Sequence, residues 1–312
     1  MAVSARDVQA IEAAKLYYVD EMSQARIAEL LEVSRPTVSK LIQHARDAGF
    51  VTITITDPRE AEGELVAALR ERYGLDEVVI AATPVDDDDG VLSYLGHRGA
   101  EVVASLVTDG DLVGVGWGNT IHELSRHLPS RQLRGVEVIQ LKGGLTYSGK
   151  DTKDVEIIEN FCRAFGAYGR YLPLPVIFDS VDVKTIVENE RHIRQSLQLG
   201  ATSRIAVFTI GGVNSSSTLF NLGYLTEAER QRLQANAVGD ILSRYFDSEG
   251  RMADEELDAR TLAIALEDLK RIDHRVLVAG GPAKTEAIRT ALNVGYANHL
   301  VTDHHTARRL AD

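Results

Sequence analysis

Hydrophobic positions follow two different periods along the chain. In the first part they recur at helical spacing: Val8, Ile11, Leu16 and Val19 predict an amphipathic helix over residues 7–20, with Asp7 and Glu12 in its early turns, where the helix dipole favours carboxylates. A break at Glu21-Met22 is followed by Ser23, a predicted N-cap for a short helix whose apolar face is Ile27, Ala28, Leu30 and Leu31. Ser34 caps a third predicted helix. Pro36 falls in its first turn, where a missing N–H costs little, Val38, Leu41, Ile42 and Ala45 form its buried face, and Gly49 ends it. Phe50 to Ile55 then alternates apolar with polar, which predicts a strand of a small wing broken by Asp57-Pro58.

Residues 60–74 read as a charged linker helix with Leu65 and Leu69 spaced i, i+4. From Glu77 onward the apolar residues cluster in runs of strand length: 78–80, 112–115, 136–139, 205–208 and 276–278. These alternate with helical segments at 90–107, 154–165 and 284–292. Strands alternating with helices predict a mostly parallel, doubly wound sheet. The α/β chain is therefore expected to divide into a helix-turn-helix domain (1–57), a linker helix (58–75) and a larger ligand-binding domain (76–312).

Composition narrows the class. With 312 residues, 44% hydrophobic and 26% charged, the chain is globular, and it lacks the run of about 18 apolar residues that a membrane span needs. Its start carries no apolar segment behind a basic one, which predicts a cytoplasmic protein. The single cysteine, Cys162, can neither close an intrachain disulfide nor share a zinc site with a second thiol; no metal or cofactor is expected. The run Asp86–Asp89 lacks the spaced glycine and glutamate of a calcium loop and reads as an acidic solvated loop.

The net charge of −12 argues against a polyanion partner until its distribution is considered. Residues 1–56 are nearly neutral, with six basic and seven acidic side chains, and 34–46 carry Arg35, Lys40, His44 and Arg46 with no carboxylate. This basic element is the second helix of a helix-turn-helix pattern over Gln24–Gln43. In it Ala28 is the small residue at the helix crossing, Val33 plugs the turn, and Val38 and Leu41 anchor one helix on the other. The residues assigned to DNA are Gln24, Ser34, Arg35, Pro36, Thr37, Ser39, Lys40, Gln43 and His44; of these Arg35, Thr37, Ser39, Lys40 and Gln43 are left exposed, with side chains able to reach phosphates or base edges. Glu32 stands where glycine is commonest. The alternative is a three-helix dimerisation module with a solvated basic face. Binding DNA against the field of an acidic body calls for several copies on one operator, so an oligomer is expected.

In the second part Asp111 to Thr120 reads D-L-V-G-V-G-W-G-N-T, a strand running into a glycine-rich turn and a helix start, which offers backbone N–H groups to an anion. The G-x-G-x-G spacing fits neither a dinucleotide fingerprint nor a P-loop. Further strand ends carry Gln140-Leu-Lys142-Gly143-Gly144, Gly211-Gly212-Val213-Asn214 and Gly280-Gly-Pro-Ala-Lys284, and in an open α/β sheet the ligand lies beyond the carboxyl ends of the strands. Lys142 is either a charge partner for an acidic ligand or, if desolvated, an amine able to form a Schiff base with an aldehyde sugar; Lys284 sits where an anionic ligand would justify it, or is a surface lysine.

Taken in order and spacing, Gln24–Gln43, Gly114–Thr120, Gly211–Asn214, Gly239–Asp247 with Gly250, and Ala279–Lys284 resemble the SorC family of sugar-binding bacterial transcriptional regulators over nearly the whole chain. That resemblance implies a fold related to ribose 5-phosphate isomerase and glucosamine-6-phosphate deaminase, a phosphorylated sugar as effector, and a tetramer, a dimer of dimers, on an operator. It makes Gly116, Gly118, Asn119 and Thr120 a phosphate cradle beside Trp117, with Lys284 as a second phosphate contact. Gln140, Lys142, Gly143, Gly211, Gly212, Val213 and Asn214 complete the effector site, and Asp247 would bond a sugar hydroxyl, unless it only closes its own turn. Lys142 resembles the deoxyribonucleoside-type members and tilts the effector toward deoxyribose 5-phosphate or another pentose phosphate. A sugar-phosphate isomerase or deaminase is the alternative. It would need a positioned base, whereas His122, His127, His304 and His305 read as surface or packing residues without an evident carboxylate partner. A repressor without enzymatic activity is the expected function.

Overall fold

The computed structural model describes residues 4–51, 58–146, 151–214 and 217–312, with 58–61 as helical backbone only. The chain divides into two compact units, Met1–Glu60 and Ala61–Asp312.

In the first unit, α1 (Ala5–Tyr18), α2 (Gln24–Leu30) and α3 (Arg35–Asp47) pack around Ala10, Ala13, Ala14, Ile27, Val38, Leu41, Ile42 and Ala45. All three N-caps are serines. Ser4 forms a reciprocal capping box with Asp7, and the Ser23 and Ser34 hydroxyls accept from the amides of Arg26 and Thr37, satisfying N–H groups that the helices leave open. The buried face of α3 is the predicted one; that of α1 is not. Its alanines face the core so that α1 and α3 can approach closely, while Val8 and Val19 are 53% and 75% exposed, and Leu30 of α2 also points outward. Glu32 takes φ +50°, the left-handed conformation that makes glycine common in this turn. The expected wing strand runs into residues 52–57, which lie outside the described residues, as does the break at Asp57.

In the second unit the elements follow in the order α4 (Pro58–Tyr73), β1 (Glu77–Ala81), α5 (Leu92–Leu106), β2 (Leu112–Val115), α6 (Asn119–Arg126), β3 (Glu137–Gln140), α7 (Asp154–Phe165) and β4 (Tyr168–Arg170). Then come α8 (Val181–Glu188), α9 (Arg191–Ala201), β5 (Ile205–Phe208), β6 (Ile210–Gly211), α10 (Glu227–Asn236), β7 (Gly239–Ile241), β8 (Arg244–Phe246), α11 (Glu255–Arg260) and α12 (Leu266–Leu269). The chain closes with β9 (His274–Val278), α13 (Thr285–Asn293), β10 (His299–Asp303) and α14 (His304–Ala311). Among the described residues β1-β10-β9-β5-β2-β3-β4 form one parallel sheet, and β6-β7-β8 a small antiparallel one.

Side chains alternate between two cores. Ile205, Val207, Val276 and Val278 point to one, and Ala206, Phe208 and Leu277 to the other, which is what burial on both faces requires of a parallel sheet. The charged helix expected as a linker supplies the buried Leu69 to the second core, with Leu65, Val66 and Tyr73 packed against it. Its i, i+4 leucines form a stripe that covers the sheet, each full burial contributing about 2 kcal/mol. The chain runs outward from β2 to β3 and β4 on one side, and from β5 to β9 and β10 on the other. The order therefore reverses between β2 and β5, the switch point where open α/β sheets bind ligands.

The amino ends of the strands bury a histidine. His299 opens β10, its ring lies edge-on to His274 with centroids 5.1 Å apart, and its Nδ1 is 3.0 Å from Asn298 Oδ1. Burial, with His274 and Arg275 nearby, holds its pKa down at about 4 against the pull of Asp76, and Glu77 Oε2 lies 4.0 Å from its Nε2. An unfolded histidine, with pKa about 6.5, takes a proton that the folded one refuses, so stability is full above pH 6.5 and declines as pH falls toward 4. The expected loss reaches about 3 kcal/mol, and His299→Asn should flatten that limb in urea titrations at successive pH values; an unchanged slope would show that another group controls it.

Candidate functional site

Beyond the carboxyl ends of β2, β3, β5 and β9 lies a cavity of about 370 Å³. Trp117, Gly118, Asn119 and Thr120 line it from the turn after β2, Lys142 from that after β3, Thr209 to Gly212 and Asn214 from that after β5, and Ala283 and Lys284 from that after β9. The four strand ends expected to share a ligand do converge.

The turn after β2 shows how sequence makes an anion site. Gly118 takes φ +146°, which a side-chain-bearing residue rarely adopts, and it directs the start of α6 into the cavity. No side chain caps α6. Its leading N–H groups and the positive end of its dipole therefore face the cavity, as an anionic ligand requires. At the turn after β9 Gly281 takes φ +96°, its N–H donating to Asp303 Oδ2 and Thr306 Oγ1 at 2.9 Å each.

Lys142 is buried. Its Nζ lies 3.5 Å from the centroid of the Trp117 ring and donates to Ser243 Oγ at 3.0 Å, while Trp117 Nε1 donates to the Gly143 carbonyl at 2.7 Å. Burial lowers the Lys142 pKa to about 8 against the opposing pull of Asp240 and Asp154. Ser243 reaches the ammonium because the β7–β8 turn holds Leu242 and Ser243 at φ +53° and +68°, a hairpin geometry normally given to Asn and Gly. Leu242, buried in the second core, keeps the turn in that conformation. Asp240, on β7, accepts from the Ser243 amide at 2.9 Å, and burial raises its pKa against the pull of Lys142 and Lys284. Burial likewise lowers the pKa of Lys284.

Several predicted residues support the cavity without lining it. Gly116 spends its N–H on Val207 O at 2.9 Å. The Gln140 amide bridges Asp154 Oδ2 at 2.6 Å and the Leu172 N–H at 2.5 Å, bracing the turn that carries Lys142. Gly143 is pressed against the Leu174 and Pro175 carbonyls, and Val213 packs on the core. Asp247 lies outside the cavity and closes its own turn, its Oδ1 accepting from the amides of Glu249 and Arg251 at 2.9 and 3.0 Å. Asp240 lines the cavity instead, and its signal was an aspartate inside an apolar run after Gly239.

Sequence reasoning also missed Thr209, Ser217, Thr218, Leu219 and Leu92, and it misread the acidic loop: Asp87, Asp88 and Asp89 line the cavity rather than facing only solvent. Two of the four histidines expected to lack carboxylate partners have them. His122 Nε2 lies 3.1 Å from Glu156 and His127 Nε2 3.0 Å from Glu123. Neither, nor His304 or His305, lines the cavity among the described residues.

In the first unit, Ser34, Arg35, Pro36, Thr37, Ser39, Lys40 and Gln43 form one exposed face at the start and along the side of α3. The Ser34 and Thr37 hydroxyls are 2.7 Å apart, and Gln43 is held by Asp47 and Arg46 at 2.7 and 2.8 Å. Gln24 is half-buried at the start of α2. His44 turns away from that face: its Nε2 meets Asp7 Oδ1 at 2.7 Å, an interaction that holds the Asp7 carboxyl down at about 2 and ties α3 to α1.

A helix-turn-helix and a switch-point cavity, carried on one chain, define the class of DNA-binding transcriptional regulators with a sugar-binding domain. Residues 57–311 match the model of the Sugar-bind family, a sugar-binding domain, and residues 15–48 match that of sigma-70 region 4. The chain belongs to the SorC-type family of sugar-binding transcriptional regulators. It is 45% identical to the deoxyribonucleoside regulator of Bacillus subtilis (strain 168) over 302 residues, 97% of this chain and 96% of that protein. The full-length sorbitol operon regulator SorC from Klebsiella pneumoniae superposes with a TM-score of 0.75 at 28% identity, covering 99% of this chain and 100% of that one. A domain of a sugar-binding regulator from Arthrobacter aurescens TC1 gives 0.74 at 30% identity, over 82% and 99%. These relatives are regulators, not enzymes. No helix among the described residues is long and apolar enough to cross a membrane.

Proposed function

We propose that this protein is a repressor whose operator affinity is set by a phosphorylated sugar, a pentose phosphate of the deoxyribose 5-phosphate type, bound in the switch-point cavity. Residues 1–57 hold the operator and 76–312 bind the effector, with the helix expected as a linker packed on the core of the effector-binding part; the working form is a cytoplasmic homotetramer, a dimer of dimers. The observation that carries this reading is the pairing of the uncapped α6 start at Gly118 to Thr120 with two lysines, Lys142 and Lys284, across one cavity. The helix start takes the phosphate with Lys284, Asp240 and Asn214 bond hydroxyls, and Lys142 faces the sugar carbonyl. Resemblance to a deoxyribonucleoside regulator supports the pentose.

Regulation then follows from differential affinity: a ligand that prefers one arrangement of the protein shifts the population toward it, and by linkage alters the affinity for DNA. Thermal unfolding across phosphorylated trioses, pentoses and hexoses tests the assignment. The correct ligand at about 100 times its Kd should add about 2.7 kcal/mol to the native state. A response confined to a hexose phosphate would move the assignment away from pentoses, and none from any sugar phosphate would overturn it.

A further inference from the structure

The cavity assigned to an anion already holds one that belongs to the protein. Asp88 Oδ1 accepts from the Ala283 N–H at 3.3 Å, and the loop lies so close over the turn that a β-carbon on Gly281 would collide with Asp88. Among the carboxylates near the Lys284 ammonium, Asp88 acts on it most strongly, ahead of Asp240 and Asp89. The loop is tied to α14 by an Asp86–Arg309 ion pair, and Asp87 Oδ1 closes a turn within the segment by accepting from the Gly90 N–H at 2.6 Å. Among the described lining residues four carboxylates, Asp87, Asp88, Asp89 and Asp240, face two ammoniums, Lys142 and Lys284. A dianionic ligand entering this arrangement unchanged would meet net repulsion.

We propose that Asp88 is an internal competitor for the effector's phosphate, and that the acidic loop 86–89 must swing away from Lys284 and the 281–283 turn for the ligand to seat. This rests on the effector reading above and adds a device to it. An empty cavity keeps its own counter-ion, which holds the loop against the 281–283 turn. An occupied one expels that counter-ion, so the loop has two positions and ligand affinity reports the balance between them. The competitor also raises selectivity, because a neutral sugar has no charge with which to displace a carboxylate from Lys284.

Titration calorimetry of the full chain with inorganic phosphate, 2-deoxyribose 5-phosphate, ribose 5-phosphate and fructose 6-phosphate, and with phosphate-free 2-deoxyribose, tests this on the wild type and on Asp88→Asn. The variant keeps an oxygen for the Ala283 N–H and loses only the charge. Phosphorylated ligands should bind about tenfold more tightly to Asp88→Asn, with phosphate-free 2-deoxyribose unchanged. Equal or weaker binding of the phosphorylated ligands by the variant would overturn the competitor while leaving the effector reading intact. An equal gain for phosphate-free 2-deoxyribose would also overturn it, since the loop would then be a steric obstacle. If no phosphorylated ligand binds to either protein, the effector reading itself falls, and the competitor falls with it. Asp86→Asn supplies a second variant: freeing the loop from Arg309 should produce a smaller gain of the same sign, and a loss of affinity would argue against loop displacement.

Discussion

Replacing Lys142 by methionine is expected to raise the melting temperature of the free protein and to erase its response to sugar phosphates. The two effects have one cause. Burial drives the Lys142 pKa from its usual 10.5 to about 8 although Asp240 and Asp154 oppose the shift. At neutral pH the folded protein therefore carries a desolvated charge. A shift of that size corresponds to about 3 kcal/mol, which methionine, similar in reach and without the charge, should return as roughly 5–10 °C in melting temperature.

The pH dependence follows with a definite sign. Between about pH 8 and 10.5 the unfolded chain keeps the lysine proton that the folded one has lost, so wild-type stability should climb through that window, and the methionine variant should not follow. On the proposed function, that costly group is kept to meet the sugar. Binding of 2-deoxyribose 5-phosphate to the variant should weaken by about 100-fold, the scale of one lost charge-assisted contact.

A covalent bond to the proposed effector is a further expectation for the same residue. The amine that Lys142 presents above pH 8 can add to the aldehyde carbon of an open-chain sugar phosphate and expel water, giving an imine that borohydride reduces to a stable secondary amine. Mass spectrometry should then find Lys142 heavier by the sugar phosphate less one water, plus the hydrogen delivered on reduction. An unmodified peptide after trapping would leave Lys142 as a charge partner only.

The second large effect is expected from Arg35→Ala combined with Lys40→Ala. Both side chains are exposed on α3 away from its buried face, so the three-helix unit should fold unchanged, with the melting temperature within the scatter of the wild type. Each removed cation surrenders a phosphate contact, and two protomers on an operator double the number lost. Retardation of promoter DNA should weaken by about 100-fold or more, and the slope of log K against log salt should fall by nearly one unit per lost contact. Ligand affinity, measured by calorimetry, should stay where it was. Undiminished retardation would return α3 to the reading as a dimerisation face.

Much of the fold was legible in the sequence because it rests on local rules. The serine caps Ser23 and Ser34, Pro36 in a first turn and the burial period of α3 fix the second and third helices of the first unit within a few residues, and strand-length apolar runs at 112–115 and 205–208 coincide with β2 and β5. The glycine-rich strand ends were legible for a related reason: a strand passing into a helix around an anion needs backbone conformations and close approaches that glycine permits, at spacings set by the turn itself.

What the sequence could not decide depended on partners distant along the chain. A periodic pattern marks an apolar face but not which neighbour it meets, so the alanines of α1, pressed on α3, displaced Val8 and Val19, and the helix read as a linker gave Leu69 to a core. His44 looked like a DNA contact until Asp7 was placed beside it. Asp240 and Asp247 are equivalent as letters; a β7–β8 turn held by Leu242 brings one to Lys142, while hydrogen bonds to Glu249 and Arg251 keep the other in a surface turn. Asp86–Asp89 read as a solvated charge run because charge favours water unless a counter-charge waits. Only the folding of β9 against α5 sets Lys284 near Asp88, and electrostatic pairing depends on distance in space, which separation along the chain does not encode.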